Sequence, residues 1–326
     1  MARRKKGSPV HGWLILDKPL EMTSTTAVAV VKRLFDAQKA GHAGTLDPLA
    51  TGILPIALGE ATKTVSFAVE GEKSYRFTVR WGAETTTDDT EGTVANRSDR
   101  RPAPAEIAAL LPRFTGEIMQ VPPQFSAIKV DGNRAYDLAR DGETVELDPR
   151  PVVIERLEAI AHPDTETTVF EADCGKGTYV RAIARDMGRA LGCFGHVIAL
   201  RRTRVGPFNE DDAVTIEEIE AERRPMVQSD TADDGAQLPP PPPPASGSEL
   251  LLPVESALAS IAEISVSTAD AATLARGQAV LIRGRDAPVM AGPAYAICKG
   301  RIVAIGDLAK GTLQPTRVFN MSTARS

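Results

Sequence analysis

Residues 41–52, Gly41-His42-Ala43-Gly44-Thr45-Leu46-Asp47-Pro48-Leu49-Ala50-Thr51-Gly52, place one acidic side chain in a glycine-bracketed turn. Gly41, Gly44 and Gly52 permit backbone angles and close approaches that side chains forbid, and Pro48 biases Asp47 toward an extended or turn conformation. A carboxylate is thereby presented on a loop. The competing reading makes Asp47 a helix N-cap with Pro48 at the first helical position. Gly52 and Pro55 leave room for little more than one turn of such a helix, which favours a functional carboxylate.

Outward toward the N-terminus, residues 11–17 (HGWLILD) form a short apolar run that predicts a strand. Thr23 or Ser24 then caps a helix running to about Phe35, because Val28, Val31 and Phe35 recur at helical spacing. Toward the C-terminus a short helix over about 60–69 leads to residues 73–81, KSYRFTVRW, where apolar and polar residues alternate strictly. That period is a strand with one buried face, shared by Tyr75, Phe77, Val79 and Trp81. Composition alone makes Tyr75 a core residue. Residues 82–104 are polar and turn-rich and predict a loop, followed by a helix over about 104–113. Residues 121–140 read as a Pro-entered strand, an Asp-Gly turn and a helix. Residues 151–160 and 168–174 read as two further strands, and a helix opens near Arg181 and ends near Leu191.

The Gly-rich turn before that helix, Cys174-Gly175-Lys176-Gly177-Thr178-Tyr179-Val180-Arg181, invites a nucleotide-binding reading and fails it. A phosphate-binding loop needs G-x-x-x-x-G-K-[ST], and here Phe170 occupies the first glycine position and Gly177 the Ser/Thr position. What remains is a helix N-terminus beside Lys176, able to hold a phosphate of any origin.

The run from Gly41 to Lys63 resembles the signature of the TruB family, bacterial tRNA pseudouridine-55 synthases, in which a nucleophilic aspartate lies in a G-x-LDP-x-A-x-G pattern. Four further segments resemble that family in order. They are residues 12–24 (GWLILDKPLEMTS), the K-x-Y at 73–75, the stretch 122–140 (PPQFSAIKVDGNRAYDLAR), and the C-x-KGTY-x-R run at 174–181 with its continuation through 195–208. By this resemblance Asp47 is the catalytic residue. His42, Tyr75, Tyr179, Arg181 and Leu200 contact substrate: Tyr75 stacks on the target base, and Arg181 partners the carboxylate. Read from the residues alone, Tyr179 is a first-turn helix residue, Arg181 a solvated one, Leu200 a core leucine and Lys18 a solvated strand-end lysine. The resemblance implies an α+β pseudouridine synthase fold, a mixed and mainly antiparallel sheet flanked by helices, acting on the T-arm stem-loop of tRNA without cofactor or metal.

Length and composition agree. The chain of 326 residues holds a large domain plus a small one, and its 42% hydrophobic and 25% charged content is that of a soluble globular protein. No apolar run reaches membrane-spanning length, and residues 1–7 lack the apolar segment of a secretory signal, so a cytoplasmic location is expected. Cys174, Cys193 and Cys298 are an odd number without a C-x-x-C pair, which indicates neither a disulfide framework nor a zinc site. Nothing in the sequence demands more than a monomer or an obligate protein partner.

The net charge of −5 hides an asymmetry: residues 174–206 carry seven Lys or Arg against Asp186 alone, net +6, whereas residues 210–247 are net −8. The basic stretch is the expected phosphate footprint, with a steep salt dependence of RNA binding. Three units are expected, a catalytic domain at 1–225, an acidic linker at 226–249 containing six consecutive prolines, and a C-terminal β unit at 250–326. In that last unit, residues 278–283, 294–299 and 302–305 read as strands, and the segments ARGQAV and DLAKGTLQPTRVF resemble a PUA RNA-binding domain.

Isomerising uridine to pseudouridine requires breaking N1–C1′, turning the base and bonding C1′ to C5. An aspartic acid of ordinary pKa, about 3.9, is ionised at neutral pH and needs no activating base. Two rival readings are a tRNA-binding or folding factor with dispensable chemistry, and a hydrolase that uses Asp47 as nucleophile. The hydrolase lacks a second carboxylate at motif spacing.

Overall fold

A computed structural model describes residues 7–126, 129–130, 133–134, 147–223, 248–282 and 291–321. The first part of the chain runs β1 (Gly12–Lys18), α1 (Ser24–Leu34), β2 (Ala40–His42), β3 (Ala50–Leu58), α2 (Val65–Glu70) and β4 (Lys73–Trp81). A hairpin of β5 (Ala83–Thr85) and β6 (Val94–Arg97) follows, then α3 (Pro104–Leu110), β7 (Gly116–Gln120) and the two-residue strands β8 (Lys129–Val130) and β9 (Asn133–Arg134). The large unit closes with β10 (Arg150–Ala161), β11 (Thr167–Cys174), α4 (Val180–Ala190), β12 (Gly195–Val205), β13 (Phe208–Asn209) and α5 (Ile216–Arg223). Beyond it lie β14 (Ala262–Ser265), α6 (Thr268–Ala275), β15 (Val280–Leu281), β16 (Gly292–Cys298), β17 (Arg301–Ala309) and β18 (Thr312–Val318).

The large sheet has the order β1-β3-β12-β4-β11-β10-β7, with β2 on β3 and β13 on β12. Its neighbours are antiparallel except β3 and β12, which run parallel over Leu200↔Ala50 to Arg202↔Gly52. This is the α+β architecture expected, mixed and mainly antiparallel. The parallel pair decides the site: the turn carrying Asp47 enters β3 where β12 lies beside it, and α4 delivers the chain from β11 into β12. Gly52, with φ of +97°, lies where an added Cβ would stand 2.2 Å from the Arg202 carbonyl oxygen, so a side chain there would push the two strands apart. Gly44 has φ of +91°. Gly41 has neither a positive φ nor a close neighbour, so its expected special role is not needed.

The alternation at 73–81 produces β4 with the bounds read from it, with Phe77, Val79 and Trp81 buried. Thr23 caps α1 by accepting from the Thr26 N–H at 3.0 Å. One expectation changes, and the competing helix-cap reading of Asp47 falls. The stretch after Asp47 is strand β3, so there is no helix for Asp47 to cap. Pro55 is tolerated there because it falls between the part of β3 paired with β12 and the part paired with β2. The polar residues 82–104 include the β5–β6 hairpin, whose connection buries Asp88 and Asp89. The helix expected near 135–140 and residues 226–247 of the expected linker lie outside the described residues.

The C-terminal sheet has the order β14-β16-β17-β18-β15, with α6 against it. Of the strands expected there, β16 and β17 match, while the third shortens to Val280–Leu281 among the described residues. This unit shares an apolar core with the catalytic sheet. Trp13, Ile15 and Phe208 pack in one cluster with Val254, Leu258, Tyr295, Ile305 and Phe319. The Trp13 indole also donates to Thr64 Oγ1 at 3.2 Å and the Val254 carbonyl at 3.3 Å.

Candidate active site

The Asp47 turn is fixed on both flanks before the carboxylate meets any partner. Ser24, the first residue of α1, donates its hydroxyl to the Leu46 carbonyl at 2.9 Å and accepts the Leu46 N–H at 2.8 Å. Beyond Asp47, the Pro48 carbonyl accepts the Glu21 N–H at 2.8 Å. Lys18 ends β1 fully buried, and its ammonium donates to the carbonyls of Pro19 and Met22 at 2.8 Å each and of Pro48 at 3.4 Å. Desolvation pushes its pKa down to about 8, with Asp47 opposing and Arg202 adding to the fall. Lys18 is therefore not the solvated lysine expected; it ties the start of α1 to the far side of the Asp47 turn.

Arg181, in the first turn of α4, is 5% exposed and not solvated. Its Nη2 stands 2.8 Å from Asp47 Oδ2 and also donates to the Phe125 carbonyl at 3.0 Å. Its Nη1 donates to the Thr87 carbonyl at 3.1 Å and pairs with buried Asp89 at 3.4 Å. Asp89 thus holds the arginine from behind. The Asp47 side chain retains 35% exposure, so it presents itself to open space while paired.

That space is a cavity of about 280 Å³ lined by Asp47, Tyr75, Tyr179, Arg181, Leu200 and, deeper, Arg202. Tyr75 is half-buried on β4, packed against the core on one side and lining the cavity on the other. Leu200 is 7% exposed on β12. Tyr179 precedes α4, its N–H donating to Gln120 Oε1 at 2.9 Å. Burial raises the pKa of both tyrosines, so their hydroxyls stay protonated. Of the six expected site residues only His42 stands outside the lining; it ends β2, and burial together with the Arg202 charge keeps its imidazole neutral.

The cations of the expected phosphate footprint all have partners inside the chain. Arg185 pairs with Asp88 and Asp186, Arg189 with Glu84, Arg201 with Asp17 and Glu210, Arg204 with Glu72, and Lys176 with Glu70. With Arg181 on Asp47 and Arg202 buried, all seven cations of residues 174–206 are engaged within the chain. Sequence reasoning also missed Asp88 and Asp89. Two adjacent acids in a Thr-rich segment, facing a chain region of net +6, were the available signal. Among the described residues no His, Cys, Asp and Glu cluster could hold a metal ion, and no helix is long and apolar enough to cross a membrane.

The fold is that of solved chains from an archaeal box H/ACA sRNP Nop10-Cbf5 complex, with a TM-score of 0.68 at 23% identity, covering 98% of this chain and 91% of that one. A Cbf5-Nop10-Gar1 complex gives 0.67 at 22% identity, covering 98% and 90%. In sequence, residues 32–180 match the N-terminal domain of the TruB family pseudouridylate synthases, and residues 181–259 match a tRNA pseudouridylate synthase B C-terminal domain. These family matches, together with the relatives below, define a pseudouridylate synthase, an isomerase. A protein of Rhodopseudomonas palustris named tRNA pseudouridine synthase B is 58% identical, covering 98% of this chain and 83% of its own length. One of the same name from Mesorhizobium japonicum is 56% identical, covering 98% and 99%. The chain belongs to the TruB family.

Proposed function

We propose that this protein converts uridine 55 in the T-loop of tRNA to pseudouridine, with Asp47 as the catalytic carboxylate. The observation that carries the reading is the Asp47–Arg181 pair at 2.8 Å, opening on a cavity walled by two protonated tyrosines and a leucine. The target base leaves its stack to reach that cavity, and stacking on Tyr75 offsets part of the cost, on the order of 1 to 3 kcal/mol. Asp47 then acts on the nucleoside while N1–C1′ breaks. The detached uracil turns against Tyr75 and Leu200, C5 bonds to C1′, and the C5 proton is lost as N1 gains one. Atoms balance without water, redox equivalents or nucleotide energy. Arg181 keeps the carboxylate aimed, itself held by Asp89. The division into 1–225, 226–249 and 250–326 belongs to the same proposal, as does a cytoplasmic location with tRNA.

The test is direct. Asp47→Asn keeps the shape of the turn and removes the charge, and T-arm RNA tritiated at C5 of uridine 55 reports the lost proton. Release falling by about 10³-fold or more, with RNA still bound, is the expected result. Undiminished release removes Asp47 from the chemistry, and an absence of release from the parent protein removes the function.

A further inference from the structure

Arg202, at 2% exposure, is the least exposed arginine among the described residues, and the chemistry above leaves it without a task. Burying a guanidinium is costly unless its donors are satisfied, and normally a carboxylate shares the burial. Here three hydrogen bonds go to backbone carbonyls, a further one goes to the Tyr75 hydroxyl, and no carboxylate is paired with it. Nε donates to the Ile53 carbonyl at 2.8 Å, Nη1 to Thr45 at 3.2 Å and Nη2 to Gly44 at 3.1 Å. Those acceptors lie on both sides of Asp47, two in the turn before it and one in the strand after it.

The other side of the guanidinium faces Tyr75. Arg202 and Tyr75 are direct partners in the β12–β4 register, and the charged head lies against the tyrosine hydroxyl. Desolvation lowers the pKa of the Arg202 guanidinium, and the Tyr75 side chain and the Asp47 charge oppose that fall. The turn is open enough at this point to depend on the clamp. Gly44 holds φ of +91°, and a Cβ there would meet Arg202 Nη1 at 3.6 Å, ordinary contact with nothing nearer.

We infer that Arg202 is a positioning residue which locks the Asp47 turn, through the Gly44, Thr45 and Ile53 carbonyls, to the ring of Tyr75, setting the distance between carboxylate and stacked base. The inference rests on the proposed uridine isomerisation. A fork is required because three separate carbonyls are met by Nε, Nη1 and Nη2 of one rigid head. A lysine keeps the charge and most of the volume but can satisfy only part of that set.

Arg202→Gln and Arg202→Lys are compared with the parent in single-turnover reactions at saturating T-arm RNA, with RNA Kd and thermal melting measured in parallel. The expected pattern is a rate lowered by about 100-fold in the glutamine variant and about 10-fold in the lysine variant, partial rescue by charge, with Kd within about threefold of the parent. A role confined to holding the fold would lower the melting temperature and leave the rate of the folded fraction unchanged. That outcome, or a loss confined to Kd, overturns the inference. Should the glutamine variant not fold, the lysine variant decides alone, and a rate within twofold of the parent overturns the proposal. A parent protein without product on T-arm RNA would instead indict the reaction assigned to the site.

Discussion

Asp88 shows how much the site's rear wall asks of a single group. It sits in the left-handed region at φ of 62°, 6% exposed, with Arg185 at 3.1 Å, and burial still outweighs the arginine and raises its pKa to about 6. A carboxyl raised on folding binds a proton in the folded state over a range where the unfolded chain has released it. Its contribution to stability is therefore full below about pH 4 and falls as pH rises toward 6, by about 3 kcal/mol in total. Asparagine tolerates the same backbone angle and does not titrate. In Asp88→Asn, urea unfolding followed by tryptophan fluorescence should show a stability-against-pH slope between pH 4 and 6 more positive than the parent's by about 1 kcal/mol per pH unit. Parallel slopes in the two proteins would show that Asp88 does not titrate there. The carboxylate behind Arg181, Asp89, shares this turn, so the acids were invisible as site residues only because their arginines lie some ninety residues on.

Helix α1 supports the Asp47 turn, and two adjacent residues at its start separate capping the helix from holding the turn. Thr23 caps the helix, and Thr23→Ala should cost about 1 kcal/mol with turnover retained. Ser24 satisfies both the N–H and the carbonyl of Leu46, in a place where neither can reach water. Ser24→Ala orphans both groups, at about 1 to 3 kcal/mol each, and lets the residue before Asp47 drift. Turnover should therefore fall by at least tenfold beyond any loss in stability, and equal proportional losses in the two variants would contradict the division. What was legible in the sequence follows the same line. The strand β4 declared itself because one buried face imposes alternation, and the Thr23 cap because it is local. β12 did not, since a central strand buried at Gly195, His196, Val197, Leu200, Arg202 and Val205 has no period-two signal and carries arginines that read as surface. Lys18 and Arg202 were misread for one reason: their acceptors are backbone carbonyls, which no residue type announces.

At the scale of the whole molecule two properties of the sequence acquire different meanings. The C-terminal unit reads as an appendage, yet Trp13 at 0% exposure and Phe208, with ring centroids 5.2 Å apart, are covered by residues from Val254 to Phe319. Removing that unit would uncover the back of the catalytic sheet. The charge asymmetry changes more. Seven cations over residues 174–206 suggested a phosphate-binding band, but five are tied to acids drawn from distant segments, Arg181 to Asp47 and Asp89, and Arg202 to backbone. Had all seven met phosphates, the logarithm of the binding constant would fall with the logarithm of salt concentration at a slope of about −6, since each neutralised phosphate contributes about −0.9. A cation that must leave a carboxylate to reach a phosphate exchanges one ion partner for another and releases less counterion on balance. The slope for T-arm RNA between 50 and 300 mM salt should therefore be shallower than about −4. RNA would be held mainly through the flipped base and the shape of the cleft. Neutralising an acid on the other side of one of these pairs, as in Glu72→Gln opposite Arg204, should steepen the slope by freeing a guanidinium 40% exposed in its side chain. A parent slope of −6, unchanged by that substitution, would mean that the ion pairs open freely and that the basic stretch is the footprint its composition suggested.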